Sequence, residues 1–413
     1  MSAVNNIVIV GAGQAGRWLA LTLRENGYAG GITWFGDEAH APYDRPPLSK
    51  AVIQSDVTMP MLALLPPPKF DELNTDFRPN QSVVSIDRER RTVKTVAGDE
   101  AGYDLLFLAN GGKARTLPGL APHARVATLR TYEDAQAIKQ QLANASHVLV
   151  LGGGWIGLEI AASSRKLGKR VTVLEAAPRL CIRTVPPCVS EHLLKLHQGN
   201  DVDVRLGDGV QSVSASGDGV SVQLASGATL TGDLLVVGIG LVANDLIAAA
   251  AGLECGNGVL TDANGRTSDP HIYAVGDVAN ALRANGQRMR IESWENAQRQ
   301  AVAAAKTALG IAHDDSADGP PWFWSDQYDD NLQLLGVPTE AMRVIEREVP
   351  AKRQRVFFFC DGDAVRAVAA VNAGREIKIA KRWFQRGKQP ANLDALTDTT
   401  IDLNRLPLQE QPR

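Results

Sequence analysis

Cysteine is scarce in this chain and never paired. Only four occur in 413 residues, Cys181, Cys188, Cys255 and Cys360, and no two are spaced Cys-x-x-Cys. That excludes a zinc ribbon, a vicinal redox dithiol and an endogenous four-cysteine iron–sulfur cluster. No metal site is expected, and the thiols read as ordinary buried side chains. Long apolar runs are also missing: none approaches the roughly 18 residues of a membrane-spanning helix. The N-terminus lacks the basic start of a secretory signal, and its apolar run 7–10 is needed as a strand. A cytoplasmic location and no membrane partner are therefore expected. Basic residues are not in surplus, and a net charge of −3 argues against general nucleic-acid binding. What remains is ordinary globular composition, 44% hydrophobic and 22% charged, in a chain long enough for two or three domains.

Glycine, in contrast, is patterned. Gly11-Ala12-Gly13-Gln14-Ala15-Gly16 and Gly152-Gly153-Gly154-Trp155-Ile156-Gly157 each follow a short apolar run, 7–10 and 148–151. Each opens a helix-like stretch that ends at a glycine, Gly27 or Gly168. Each then meets a second apolar run and an acid, 32–35 with Asp37 and 171–174 with Glu175. A lone Gly-x-Gly-x-x-Gly is weak evidence. Two of them, both in strand–turn–helix–strand context and both with a spaced acid, point to two dinucleotides on one chain. The first glycine permits a sharp turn, the second lets the pyrophosphate approach, and the third lets helix and strand pack closely. The phosphates then sit at a helix N-terminus, whose free N–H groups favour negative charge. FAD and NAD(P)H are the obvious pair.

A weak internal repeat supports two related nucleotide folds. Asp104-Leu105-Leu106 runs into Asn110-Gly111-Gly112, and Asp233-Leu234-Leu235 runs into Gly238-Ile239-Gly240. The strand-like run at Ile272-Tyr273-Ala274-Val275 leads to Gly276-Asp277 and is assigned back to the first unit. An alanine-rich helix over 294–309 reads as packing, 311–321 as a linker, and 66–68 as a surface loop of three prolines. The expectation is an α/β protein with two Rossmann-like domains and a small C-terminal α+β domain. FAD is expected on 1–113 with 241–319, NAD on 114–240, and the third domain on 320–413.

Several longer motifs are more specific: Pro42-Tyr43-Asp44-Arg45-Pro46-Pro47-Leu48-Ser49-Lys50, Leu129-Arg130-Thr131, Gly276-Asp277-Val278, Arg290-Ile291-Glu292-Ser293-Trp294, and Pro321-Trp322-Phe323-Trp324-Ser325-Asp326-Gln327-Tyr328. With the glycine loops, they make nearly the whole chain resemble the FAD-dependent, NADH-using ferredoxin reductases of aromatic-ring dioxygenases and bacterial cytochromes P450. The resemblance implies hydride transfer from NADH to FAD. Single electrons then go to a [2Fe–2S] ferredoxin that feeds a terminal oxygenase in aromatic-compound degradation. It also implies roles. Gly11, Gly13, Ala15, Gly16, Asp37, Arg45, Val83, Arg130 and Asp277 would hold FAD. Lys50 and Trp294 would lie beside its ring, and Glu159 would pair with Lys50. Gly152, Gly154, Ile156, Gly157, Glu159, Glu175 and Gly240 would serve NADH. Lys50, Glu159 and Trp294 are thus the candidate catalytic residues.

Two positions depart from the family pattern. Asn110 stands where the family usually has threonine, and Trp155 is large for its place in the second loop. A fixed cation near the flavin would favour its reduced form. Glu175 would accept from the ribose diol of NADH and repel the 2′-phosphate of NADPH, although Arg179 and Arg183 lie nearby in sequence. The basic residues Arg375, Lys378, Lys381, Arg382, Arg386 and Lys388 form a candidate docking face for an acidic ferredoxin. A rubredoxin or P450-ferredoxin reductase, and an NADH-sensing flavoprotein like the apoptosis-inducing factors, remain open as alternatives.

Overall fold

The computed structural model describes residues 4–217, 219–314 and 319–412. Four residues of the expected linker, 315–318, lie outside them. The chain divides into two compact units.

The first unit comprises Met1–Asp44, Thr58–Lys113 and Leu241–Gly319. Its centre is a parallel sheet in the order Ile272–Ala274, Leu105–Leu108, Asn6–Val10, Gly31–Phe35, Asp76–Arg78. The inner strands read as unbroken apolar runs because they are covered on both faces; Leu105–Leu108 is buried throughout. The helix Gln14–Glu25 packs Leu19, Ala20 and Leu23 into this core. Ala297, Ala301, Ala304 and Ala305 of the helix Trp294–Ala308 belong to the same core cluster. Alanines three and four apart form one flat helical face, so the expected packing role holds. The three prolines 66–68 are not a loop. Pro66 caps the helix Pro67–Glu72 and the other two fill its first turn, where a fixed φ suits the helix and a missing N–H costs nothing.

The second unit comprises Arg45–Val57, Ala114–Gly240 and Pro320–Arg413. One parallel sheet runs Val202–Leu206, Arg170–Glu175, His147–Leu151, Leu234–Val237, Val126–Thr128. It repeats the local arrangement of the first sheet. The strand before the glycine loop is central, with the strand after the helix on one side and the Asp-Leu-Leu strand on the other. The C-terminal part is a five-stranded antiparallel sheet, ordered Trp322–Gln327, Asp330–Gly336, Ala364–Val371, Gln354–Asp361, Arg343–Val349. The helix Gly374–Gln385 covers it with Ile377, Ala380 and Trp383. An α/β chain with two dinucleotide-type sheets and an α+β C-terminal region is the architecture expected.

The repeated aspartates have a structural task. Asp104 accepts hydrogen bonds from the backbone N–H of Asn5 and Asn6, at 2.8 and 2.9 Å. Asp233 does the same for Ser146 and His147, at 2.7 and 2.8 Å. Each carboxylate anchors the start of its central strand, and these backbone bonds hold both acids below the usual range.

Candidate functional site

The first glycine loop turns at the C-terminal end of the central strand, where the strand order diverges and ligands bind in such sheets. Gly11 has φ +113°, and a Cβ there would strike the Ala109 carbonyl oxygen. A Cβ at Gly16 would strike the Gly11 carbonyl oxygen. Trp34 Nε1 donates to that same oxygen at 3.0 Å and braces the turn. Gly13 differs: a Cβ there meets no atom within 4 Å. Its smallness serves nothing in the protein itself and fits a ligand backbone approaching the loop. Both amide atoms of the next side chain, Gln14, are buried without a hydrogen-bond partner. Open space beside Gly13 and an unsatisfied amide at the helix start fit a pyrophosphate.

Other predicted FAD residues gather in the same unit. Gly276 (φ +74°) brings the turn Gly276–Val278 against this loop's helix; a Cβ at Gly276 would lie 3.1 Å from Ala15 Cβ. Gln300 Oε1 accepts from the Gly276 N–H at 2.8 Å, fixing the turn that carries Asp277. Trp294 is the first residue of its helix, capped by Ser293, and its Nε1 donates to Asp44 Oδ1 at 2.9 Å. Val83 is half-buried on the strand Val83–Asp87. Asp37 is exposed, whereas Tyr43 donates to the adjacent Glu38 at 2.5 Å. Asn110 exchanges side chain-to-carbonyl bonds with Asn244, at 2.8 and 2.7 Å, and its own Oδ1 is left without a partner. The amide that departs from the family pattern is thus a clasp between two loops.

The second loop repeats the first. Gly152 has φ +107°, and a Cβ at Gly157 would strike the Gly152 carbonyl oxygen, yet a Cβ at Gly154 meets nothing within 4 Å. Glu175 accepts from the N–H of Gly153 at 2.7 Å and of Ala177 at 2.8 Å. Its carboxylate is therefore fixed beside the glycine loop. Ile156 follows on the first helical turn, 46% exposed despite its apolar side chain. Gly240 lies near Arg183: a Cβ there would be 3.1 Å from the guanidinium. Arg179 is consumed elsewhere, donating to the Val185 carbonyl, Ser190 Oγ and Glu340. That removes Arg179 as a ligand for a 2′-phosphate, because it has no spare fork; Arg183 is exposed beside Gly240. Trp155 is accommodated by an edge-on contact with Phe323, 4.7 Å between centroids, and by donation to Thr184 Oγ1 at 3.1 Å.

Lys50 and Glu159 meet in the second unit. Lys50 Nζ lies 3.1 Å from Glu159 Oε1 and 4.0 Å from Asp326. Glu159 is only 5% exposed. Its other oxygen accepts from Ser49 Oγ, and Ser325 Oγ donates to Oε1 at 2.7 Å. A buried carboxylate is tolerable only when so satisfied. Arg45 donates to the Arg130 carbonyl at 2.7 Å, and Arg130 N–H donates to Asp134 at 2.8 Å. The Arg45 guanidinium is therefore tied to the Arg130 backbone.

Ser49, Ser325, Gln327 and His197 are the residues that sequence reasoning missed. Ser49 lies inside the motif 42–50, and Ser325 and Gln327 inside the motif 321–328. The spacing of two puts the latter pair on one face of a strand, a signal that names no partner.

No thiol bonds to the Lys50–Glu159 cluster, whereas Cys181 Sγ lies against the second loop and donates to the Gly153 carbonyl at 3.5 Å. Cys181 and Cys360 are buried, Cys188 and Cys255 partly so, and all are free. Burial pushes each thiol up, away from the reactive thiolate. Among the described residues no cluster could hold a metal ion, and no helix is long and apolar enough to cross a membrane.

Residues 5–301 match the pyridine nucleotide-disulphide oxidoreductase family, and 322–407 match the reductase C-terminal family. The chain belongs to the pyridine nucleotide-disulphide oxidoreductase family. It is similar to the ferredoxin reductase for the CYP199A2 system from Rhodopseudomonas palustris, with 36% identity and TM-score 0.91 over 97% of this chain and 99% of that one. The reductase in a covalent putidaredoxin reductase–putidaredoxin complex matches at 36% identity and TM-score 0.91, over 97% of each chain. A protein named Fdr9 matches at 32% identity and TM-score 0.86, over 97% and 99%. The chain is an FAD- and NAD(H)-dependent flavoprotein oxidoreductase of the ferredoxin-reductase type.

Proposed function

We propose that this protein is an NADH-dependent reductase of a [2Fe–2S] ferredoxin that supplies a ring-hydroxylating dioxygenase. The observation that carries the reading is the pairing of two dinucleotide loops with four thiols that burial keeps protonated and that lie outside the Lys50–Glu159 cluster. Electrons taken from NADH must then leave for a partner, and the C-terminal region resembles that of reductases serving iron–sulfur proteins. FAD supplies the coupling of two-electron uptake to one-electron release. FAD is assigned to 1–113 with 241–319, NAD to 114–240, and partner contact to 320–413.

In this reading Gly11, Gly13, Ala15 and Gly16 cradle the FAD pyrophosphate, with Asp37, Arg45, Val83, Arg130 and Asp277 around the cofactor. Gly152, Gly154, Ile156, Gly157, Glu175 and Gly240 receive NADH. Lys50 supplies a fixed cation, Glu159 orients it, and Trp294 is held by Asp44. The docking face is narrower than residue counting suggests. Arg375 is paired with Asp402 at 2.7 Å and Lys388 with Glu410 at 3.7 Å. Lys381 lies over the Trp322 ring, 4.2 Å from its centroid. Lys378 and Arg382 are exposed four residues apart on the helix, with Arg386 exposed at its C-cap and Arg382 donating to the neutral Asn404 Oδ1 at 2.7 Å.

The R. palustris and putidaredoxin relatives favour a second reading, a P450-type ferredoxin as partner. Anaerobic NADH-driven reduction of both ferredoxin classes separates the two. Faster turnover with the dioxygenase-type ferredoxin is expected. Preference for the P450 type selects the second reading, and failure with both refutes each.

A further inference from the structure

The polar chain behind Glu159 has a forced direction. Ser325 has one hydroxyl proton and lies 2.7 Å from Glu159 Oε1. An ionised carboxylate donates nothing, so Ser325 donates. Its oxygen must then accept from the Gln327 amide nitrogen at 3.0 Å. The Gln327 carbonyl oxygen consequently faces His197 Nε2 at 2.8 Å, and Nε2 carries the ring proton. The bare Nδ1 accepts from the Tyr328 hydroxyl, a long bond of 3.4 Å. Burial pulls His197 down to about 4 and pushes the Tyr328 phenol up, so neither changes charge near neutrality.

We propose that Tyr328, His197, Gln327 and Ser325 form a one-way donor chain that holds Glu159 as an oriented anion, so that the first C-terminal strand positions the Lys50–Glu159 pair. These are positioning residues, acting through Glu159. The inference rests on the reading of that pair as cofactor-side. Aligned hydrogen bonds in a buried setting polarise one another. Ser49 holds Oε2 and Lys50 shares Oε1 with Ser325, so Ser325 is the donor through which the C-terminal sheet reaches the carboxylate. Removing Ser325 takes away the positive end of its hydroxyl dipole and leaves the site more negative. Removing the Glu159 charge does the reverse.

The test uses FAD-loaded protein. The bound-flavin midpoint potential is measured by spectroelectrochemistry for wild type, Ser325→Ala and Glu159→Gln. The His197 tautomer in wild type is read from ¹⁵N imidazole correlations, its signal assigned by loss in His197→Gln. The expected result is an Nε2–H tautomer, a more negative potential in Ser325→Ala and a more positive one in Glu159→Gln. An Nδ1–H tautomer overturns the chain without reference to the cofactor, even if Ser325→Ala fails to fold. A shift in Glu159→Gln with none in Ser325→Ala overturns the chain and leaves the cofactor reading standing. No shift in either variant overturns that reading and the inference with it.

Discussion

Replacing Gly154 by alanine separates the coenzyme role of the second loop from its folding role. In the protein alone a Cβ at Gly154 meets nothing within 4 Å, and the backbone there, φ −85° and ψ 178°, is extended and suits any residue. Stability should therefore change by no more than about 0.5 kcal/mol, as at other unencumbered positions. A dinucleotide on the loop meets the new methyl directly. Overpacking costs about 1–3 kcal/mol, or about 5- to 150-fold in NADH affinity. Rapid-mixing flavin reduction at varied NADH reads that loss, and thermal unfolding with flavin absorbance confirms an intact, FAD-loaded protein. Gly157→Ala is the counterpart: its methyl would strike the Gly152 carbonyl oxygen, so it should lower stability outright. Unchanged NADH affinity in Gly154→Ala, or destabilisation equal to that of Gly157→Ala, would refute the reasoning.

Glu175→Ala removes a charged acceptor worth about 1.5–3 kcal/mol, so NADH use should fall about 10- to 150-fold while NADPH use falls less; a wild-type preference for NADPH would contradict this in steady-state assays. Replacing all four cysteines by serine or alanine should leave NADH-to-ferredoxin turnover within a small factor, and complete loss in a folded, FAD-loaded variant would restore a thiol mechanism. His197 is depressed from 6.5 to about 4 by burial. The unfolded chain therefore binds a proton that the native state refuses below about pH 6.5, and stability is lost as pH falls towards about 4. The full effect is ~3 kcal/mol. Urea unfolding between about pH 7 and pH 4.5 should show wild type losing more stability than His197→Gln, and equal losses would mean His197 is not held neutral.

Local chemistry that must be met within a few residues was legible in the sequence. Gly11 and Gly152 need a positive φ, and Gly16 and Gly157 need bare contact with a carbonyl; no other residue satisfies these demands, so the pattern carries them openly. The alanine face of Trp294–Ala308 was legible for the same reason. The proline run was misread because Pro at a first helical turn and Pro in a loop look alike without the residues that follow. Long-range polar pairings were illegible. Ser325 meets Glu159 across 166 positions, and Asn110 meets Asn244 across 134. Arg179, which the sequence left as a possible phosphate ligand, is bound to Glu340 from the C-terminal region. Nothing local in Ser, Asn or Arg says which distant group will satisfy it.

The two loops share their glycine geometry but differ in how their acids are held, a difference that fits the tasks proposed for them. Glu175 is fixed by two backbone amides, Gly153 and Ala177. Asp37 is exposed, and its neighbour Glu38 is the one tied down by Tyr43. A coenzyme that binds and leaves in every turnover incurs the ordering cost of its site each time, so a pre-set carboxylate lowers a recurring penalty. A resident cofactor incurs that cost once, and its acid can be ordered by the cofactor itself. On the proposed assignment, two copies of one loop, each placing its acid by different means, would serve as an exchange site and a resident site.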